Sequence, residues 1–122
     1  MKWQISTALT ELMPTSPFGI TNEDYSKINW MDSSNSLPSI DTINAKIAEL
    51  DAAEPMRLLR KERDRLLVES DWTQFSDVPE ATRTAWQTYR QQLRDLPASA
   101  SPKLDEFYEL DLSSVTWPSK PS

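Results

Sequence analysis

The chain has 122 residues and a formal charge of -6, a balance that repels phosphate backbones and anionic lipid, so neither nucleic acid nor a membrane is an expected partner. Apolar residues make up only 38% and the mean hydropathy is -0.61, which points to a small core in a short domain whose stability gains from a partner. With no Cys and no His, the chain lacks disulfides, thiolates and imidazoles, the usual means of nucleophilic and general acid–base catalysis, and no enzyme activity is expected.

From Trp3 to Met13 the apolar residues Trp3, Ile5, Ala8, Leu9 and Leu12 match neither a two-residue alternation nor a clean helical stripe, and a short helix after an extended start is expected. The opening "MKWQISTALTELMP" lacks the continuous apolar core and small-residue cleavage site of a signal peptide, and no stretch of the chain is apolar enough for a membrane span. The next stretch, "PTSPFGITNEDYSKINWMDSSNSLP", holds the one Gly and many Asn, Asp and Ser residues, the chemistry of turns. Within it Tyr25, Ile28 and Trp30 read as one short strand, with Ile28 and Trp30 on the same face.

Pro38 then opens a helix with Ser39 or Asp41 as cap, and Ile40, Ile43, Ile47 and Leu50 recur at three- and four-residue spacing. Pro55 interrupts the pattern, which leaves a kinked continuous helix and a true break both open at that point. Because the apolar spacing resumes within a few residues, Ile40 to Ser70 is expected to form one kinked spine with no domain boundary at the proline. Leu58, Leu59, Leu66 and Leu67 give its second half a narrow apolar face. The loop "SDWTQFSDV" carries Trp72 and Phe75, and Pro79 opens the next helix, where Ala85, Trp86, Tyr89, Leu93 and Leu96 share a face until Pro97 ends it. So short a connection favours an antiparallel hairpin. Beyond it "ASASPK" reads as a linker and "LDEFYELDLSSVTWPSKPS" as an acidic, aromatic tail with no core of its own to join, ordered by lying on another chain. Truncation after Lys103 is accordingly expected to leave the helical content nearly intact and to abolish partner binding.

The expected fold is therefore mainly α, with a small N-terminal α/β or irregular part over residues 1–37, a long kinked helix and helical hairpin over 38–97, and an extended acidic tail over 98–122. A single Gly is too few for phosphate-cradling loops. The acidic runs "NEDYSKINWMD" and "KLDEFYELD" lack calcium-loop spacing, so no metal and no cofactor is expected. What the sequence offers instead is aromatic and arginine residues, the types that dominate interface hot spots. Trp72, Phe75, Trp86, Tyr89, Arg90, Arg94, Phe107, Tyr108 and Trp117 are the expected partner contacts. For Trp86 the alternative is that the indole is simply stacked by Arg83 and Arg90, three and four residues away on the helix.

The stretch "MRLLRKERDRLLVESDWTQFSDVPEATRTAWQTYRQQLRDLP" carries an R-x-x-R-x-x-L-L helix (Arg60, Arg63, Leu66, Leu67), a "DW" (Asp71, Trp72), and W-x-x-Y-R-Q-x-L-R-D-L-P from Trp86 to Pro97. This pattern resembles the phage tail assembly chaperone family. More loosely, Asp24, Tyr25, Ile28, Trp30 and Asp32, followed by Pro38, Ile43, Ala45, Ile47, Ala48 and Leu50, are similar to small tail-region phage proteins found beside tail-fibre and baseplate genes. The resemblance implies a non-enzymatic protein that binds a tail fibre or another tail component, as an assembly chaperone or a retained virion part. The alternative is a minor structural baseplate or fibre protein joining larger components. Implied partners are a phage tail fibre or baseplate protein, with a homo-oligomer left open. The implied location is the host cytoplasm during assembly, with the virion tail as the other option. Many relatives end soon after the "RDLP", whereas this chain continues to Ser122, a departure that favours a stable structural role.

Overall fold

A computed structural model describes residues 3–122. Among them are three α-helices, α1 (Ile5–Leu12), α2 (Ile40–Glu69) and α3 (Glu80–Ser99), and one two-stranded sheet of β1 (Phe18–Gly19) and β2 (Asn29–Trp30), so the chain is mainly α as expected. It forms two compact units, one up to Ala53 and the other Glu54–Ser122.

In the first unit, Ala8 and Leu9 of α1 and Ile43 and Ile47 of α2 form a buried cluster ringed by Trp3, Ile5, Leu12, Phe18, Tyr25, Ile28, Trp30 and Leu37. The short helix expected near the start is present. Its N-cap residue Gln4 makes no side-chain cap. Glu23 takes that role, accepting from the Ser6 N–H at 2.9 Å and the Ser6 hydroxyl at 2.5 Å, which places a carboxylate at the positive end of the helix. Asn22 and Glu23 both have φ of 53°, a left-handed pair that turns the chain toward this contact.

The expected strand is only partly formed. Tyr25 lies in a 3₁₀ turn, Tyr25–Lys27, because Asp24 accepts from the Ser26 N–H and hydroxyl and closes a turn instead of extending the chain. Only Asn29–Trp30 pairs, antiparallel to β1, with Phe18 opposite Trp30, and those two rings stack at 6.3 Å. The Trp30 indole donates to the Asn35 carbonyl at 2.7 Å and the Tyr25 hydroxyl to the Pro38 carbonyl at 3.1 Å. The Asp24, Tyr25, Trp30 and Asp32 pattern singled out in the sequence thus builds this unit's turns.

Helix α2 begins at Ile40, with the Ser39 hydroxyl accepting from the Thr42 N–H, the expected cap. It runs without a break through Pro55 to Glu69. A proline at this position removes the donor for the Asp51 carbonyl, but Ala52, Ala53 and Glu54 before it and Met56, Arg57 and Leu58 after it are strong helix formers and carry the helix across. The boundary between the two units nevertheless falls at Ala53 and Glu54, inside the helix, where the sequence pattern gave no division.

In the second unit α2 and α3 run antiparallel. Arg63 donates to the Arg94 carbonyl, Arg90 to the Leu67 carbonyl, and Leu59 packs with Leu96. Tyr89, Leu93 and Leu96 are buried as the helical stripe requires, whereas Ala85, assigned to the same face, is exposed. Helix α3 does not stop at Pro97 but continues to Ser99. The fixed φ of proline suits a helix, and in the last turn its missing N–H costs one bond that few residues follow.

The tail is where expectation and structure differ most. It does not lack a core: Val115, 7% exposed, joins Leu59 and Leu96 in a buried cluster against which Leu110 and Trp117 pack. Lys120 pairs with Glu69 at 2.8 Å, so residues 110–120 lie along the hairpin as a strap. Periodicity could not show this, since a strap without regular structure has no repeat to detect.

Candidate functional site

The connection between α2 and α3 is a hydrogen-bonded corner. Asp71–Gln74 curl into a 3₁₀ turn with Ser70 as its N-cap residue. The Thr73 side chain is fully buried; its hydroxyl donates to the Ser70 carbonyl at 2.6 Å and accepts from the Gln74 amide at 3.1 Å. The same amide donates to the Arg83 carbonyl on the first turn of α3, tying the corner to the following helix.

Arg90 fastens the corner from the opposite side. Its guanidinium donates to the Leu67 carbonyl at 2.6 Å, the Ser70 hydroxyl at 2.7 Å and the Asp71 carboxylate at 2.9 Å. The Leu67 carbonyl at the C-terminal end of α2, which also accepts from the Ser70 N–H and hydroxyl, and the side chain that starts the 3₁₀ turn are thus held by one planar fork. The Arg90 side chain is only 11% exposed. Although it was expected to be a partner contact, its donors are directed within the chain.

The aromatic residues form a graded series outward from this clamp. Tyr89 is buried, and burial raises its phenol above the ordinary value. Trp86 meets it edge-on at 5.4 Å, and Trp72 lies 6.2 Å from Trp86 on the other side. Trp86 is therefore held between two rings, where the sequence suggested Arg83 and Arg90. Trp72 is 53% and Phe75 60% exposed, and Val68, one turn before the corner, is exposed beside them in sequence.

The remaining candidates separate in the same way. Arg94 is exposed and donates to Gln91. Trp117 belongs to the strap; its indole donates to the Leu112 carbonyl and its ring packs against the Leu59, Leu96 and Val115 cluster. Phe107 and Tyr108 stand exposed on a loop of the tail. What the sequence did not reveal was the inward use of Arg90 and the burial of Thr73. Their signal was the "S-D-W-T-Q" run facing a Tyr-Arg pair on the next helix, which becomes readable only once the two helices are known to be antiparallel.

Among the described residues no group of three acids is placed to hold a metal ion, and no helix is long and apolar enough to cross a membrane. The chemistry available at this end of the hairpin is apolar contact on a preformed surface.

No curated protein and no solved structure shows a significant match to the chain. The family model for phage tail assembly chaperone proteins matches residues 56–122, a span that coincides with the second compact unit almost end to end. The match includes the strap, so the segment after Pro97, set apart in the sequence as a departure from relatives, is part of the family's own body. The segment that matches carries the arginine clamp, the aromatic corner and the strap together, and on that match the chain belongs to the phage tail assembly chaperone family.

Proposed function

We propose that this chaperone binds a tail-fibre protein during assembly and covers an apolar surface on it with the Trp72 and Phe75 corner of the hairpin. The observation that carries this reading is that the two large rings, 53% and 60% exposed, are carried on a backbone turn closed by hydrogen bonds within the family segment. A preformed aromatic surface loses little side-chain freedom on docking, and Trp is the residue type most enriched at interface hot spots. Fibre subunits expose strand edges and apolar faces before they associate, and a protein that binds those faces keeps them from aggregating. No bond is made or broken in this mechanism. Its place of action is the host cytoplasm, before the tail is complete.

The test is co-expression with a tail-fibre protein of the same phage, followed by affinity capture. Trp72→Ala combined with Phe75→Ala should reduce capture by about tenfold or more with only a small drop in melting temperature, from the loss of the Trp72 contact with Trp86. Capture equal to that of the wild type overturns the corner as the docking site. Mass spectrometry of purified virions separates the two roles: absence is expected of a chaperone, and stoichiometric presence supports the reading of a baseplate or fibre component instead.

A further inference from the structure

We propose that the loop Lys103–Asp111 is a self-association element, in which Phe107 of one copy inserts beside Leu58 of a second copy and the second copy reciprocates. The observations behind it are separate from those at the Trp72 corner, and it stands whether or not that corner binds a fibre.

The loop is built, not loose. The Asp111 N–H donates to the Lys103 carbonyl at 2.8 Å and the Asp105 N–H to the Glu109 carbonyl at 2.7 Å, with Leu104 bridged to Leu110. The Asp105 carboxylate accepts from the N–H groups of Phe107 at 2.8 Å and Glu109 at 3.1 Å. At the tip Tyr108 takes a left-handed backbone with φ of 59°, a conformation disfavoured for a residue with a side chain. This hydrogen-bonded loop carries Phe107, which at 73% is the most exposed large hydrophobic residue among those described.

Next to the loop lies a receptor of matching size and charge. A groove of 310 Å³ is lined by Leu58, Leu110 and Leu112 together with Lys61, Glu62 and Arg65. An apolar cavity of roughly 150 Å³ already accepts a benzene ring, so the groove has room for a phenylalanine side chain. The ring of the same molecule does not fill it, since Phe107 stands in water. The loop carries Asp105, Glu106 and Glu109. On the groove side Arg65 is engaged by Glu62 and Glu69, while Lys61 has no ion-pair partner among the described residues. A negatively charged tip and a groove edged by a free cation are complementary. Because Leu110 and Leu112 follow the tip directly in sequence, tip and groove are neighbours on one surface. A two-fold axis between two copies then satisfies both pairs at once and closes the assembly at a dimer.

The experiment is sedimentation equilibrium of the full chain over a roughly hundredfold range of concentration reaching the high micromolar, as suits a small interface. A reversible monomer–dimer equilibrium that weakens with added salt is expected. Phe107→Ala should raise the dissociation constant about tenfold or more without changing the far-ultraviolet circular dichroism. Lys61→Glu and Glu106→Lys should each weaken the dimer, and their combination should restore it. A wild-type chain that stays monomeric throughout overturns the proposal, as does a Phe107→Ala dimer of undiminished affinity or growth into open-ended species. None of these outcomes depends on fibre capture, so the two readings fail separately.

Discussion

Removal of the Arg90 side chain leaves the Leu67 carbonyl, the Ser70 hydroxyl and the Asp71 carboxylate without a shared donor. Arg90→Ala should therefore destabilise the second unit by roughly 1.5–3 kcal/mol, the range for hydrogen bonds to a charged group, read as a lower midpoint in chemical denaturation. Lysine at this position should not restore it, since a point charge cannot fork to three acceptors. A second prediction concerns Asp32, whose carboxylate is held down at about 2 by the Ser16 hydroxyl, the Asn35 amide and the Ser34 N–H. A depressed folded value means that the ionised form supports the turn. Its contribution is complete above the ordinary carboxylate value of 3.8 and fades as pH falls through about 2. The Ser34 amide should titrate with a midpoint near that lower value in nuclear magnetic resonance spectra, and Asp32→Asn should remove the transition. Neither role was legible in the sequence. One arginine among three on α3 reads as a partner contact or a surface residue, and an aspartate in a Ser- and Asn-rich run reads as one turn former among several.

At the scale of elements, the long helices were legible because their apolar residues repeat. Ile43 and Ile47 recur at helical spacing and both are buried, and Tyr89, Leu93 and Leu96 do the same on α3. The sheet was not, because strands of two residues are too short to show an alternation. Proline misled in one case and left the answer open in the other. Pro97 falls inside α3 rather than at its end, and Pro55 falls inside α2. In α2 the cost is measurable, since Pro55→Ala returns a donor to the Asp51 carbonyl. The substitution should stabilise the chain by about 1–3 kcal/mol, in line with the cost of an interior proline, with no loss of helical signal. A destabilised Pro55→Ala variant would show that the proline ring is needed for packing at that point.

For the molecule as a whole, the strap is the feature that changes how the second unit holds together. Val115 is contributed from far along the sequence to a cluster in which the other buried members among the described residues are Leu59 and Leu96, with Met56, Ala100, Leu110 and Trp117 packed against them. Val115→Ala should cost about 1–2 kcal/mol, the value of two buried methyl groups. Truncation after Lys103 should lower the melting temperature by considerably more, and not leave the hairpin intact as the tail's composition suggested. The far end of the strap is held differently. Lys120 keeps the Glu69 carboxylate below its ordinary value, but both groups are half exposed, so added salt should loosen that end while Val115 stays in place. The sequence contained all of these residues. Their pairing was hidden because contacts between distant positions leave no local period.

The graded ring series at the corner also equips the protein with an optical reporter. Of its five tryptophans, Trp72 alone is exposed, while Trp3, Trp30, Trp86 and Trp117 are half-buried. A water-soluble quencher of indole emission will reach Trp72 first, and light absorbed there is shared with Trp86 at 6.2 Å. Anything that seats on the corner will shield that indole and shift the emission toward shorter wavelengths. Occupancy of the site can thus be followed in the unlabelled chain, and a ligand that leaves the spectrum untouched is bound elsewhere.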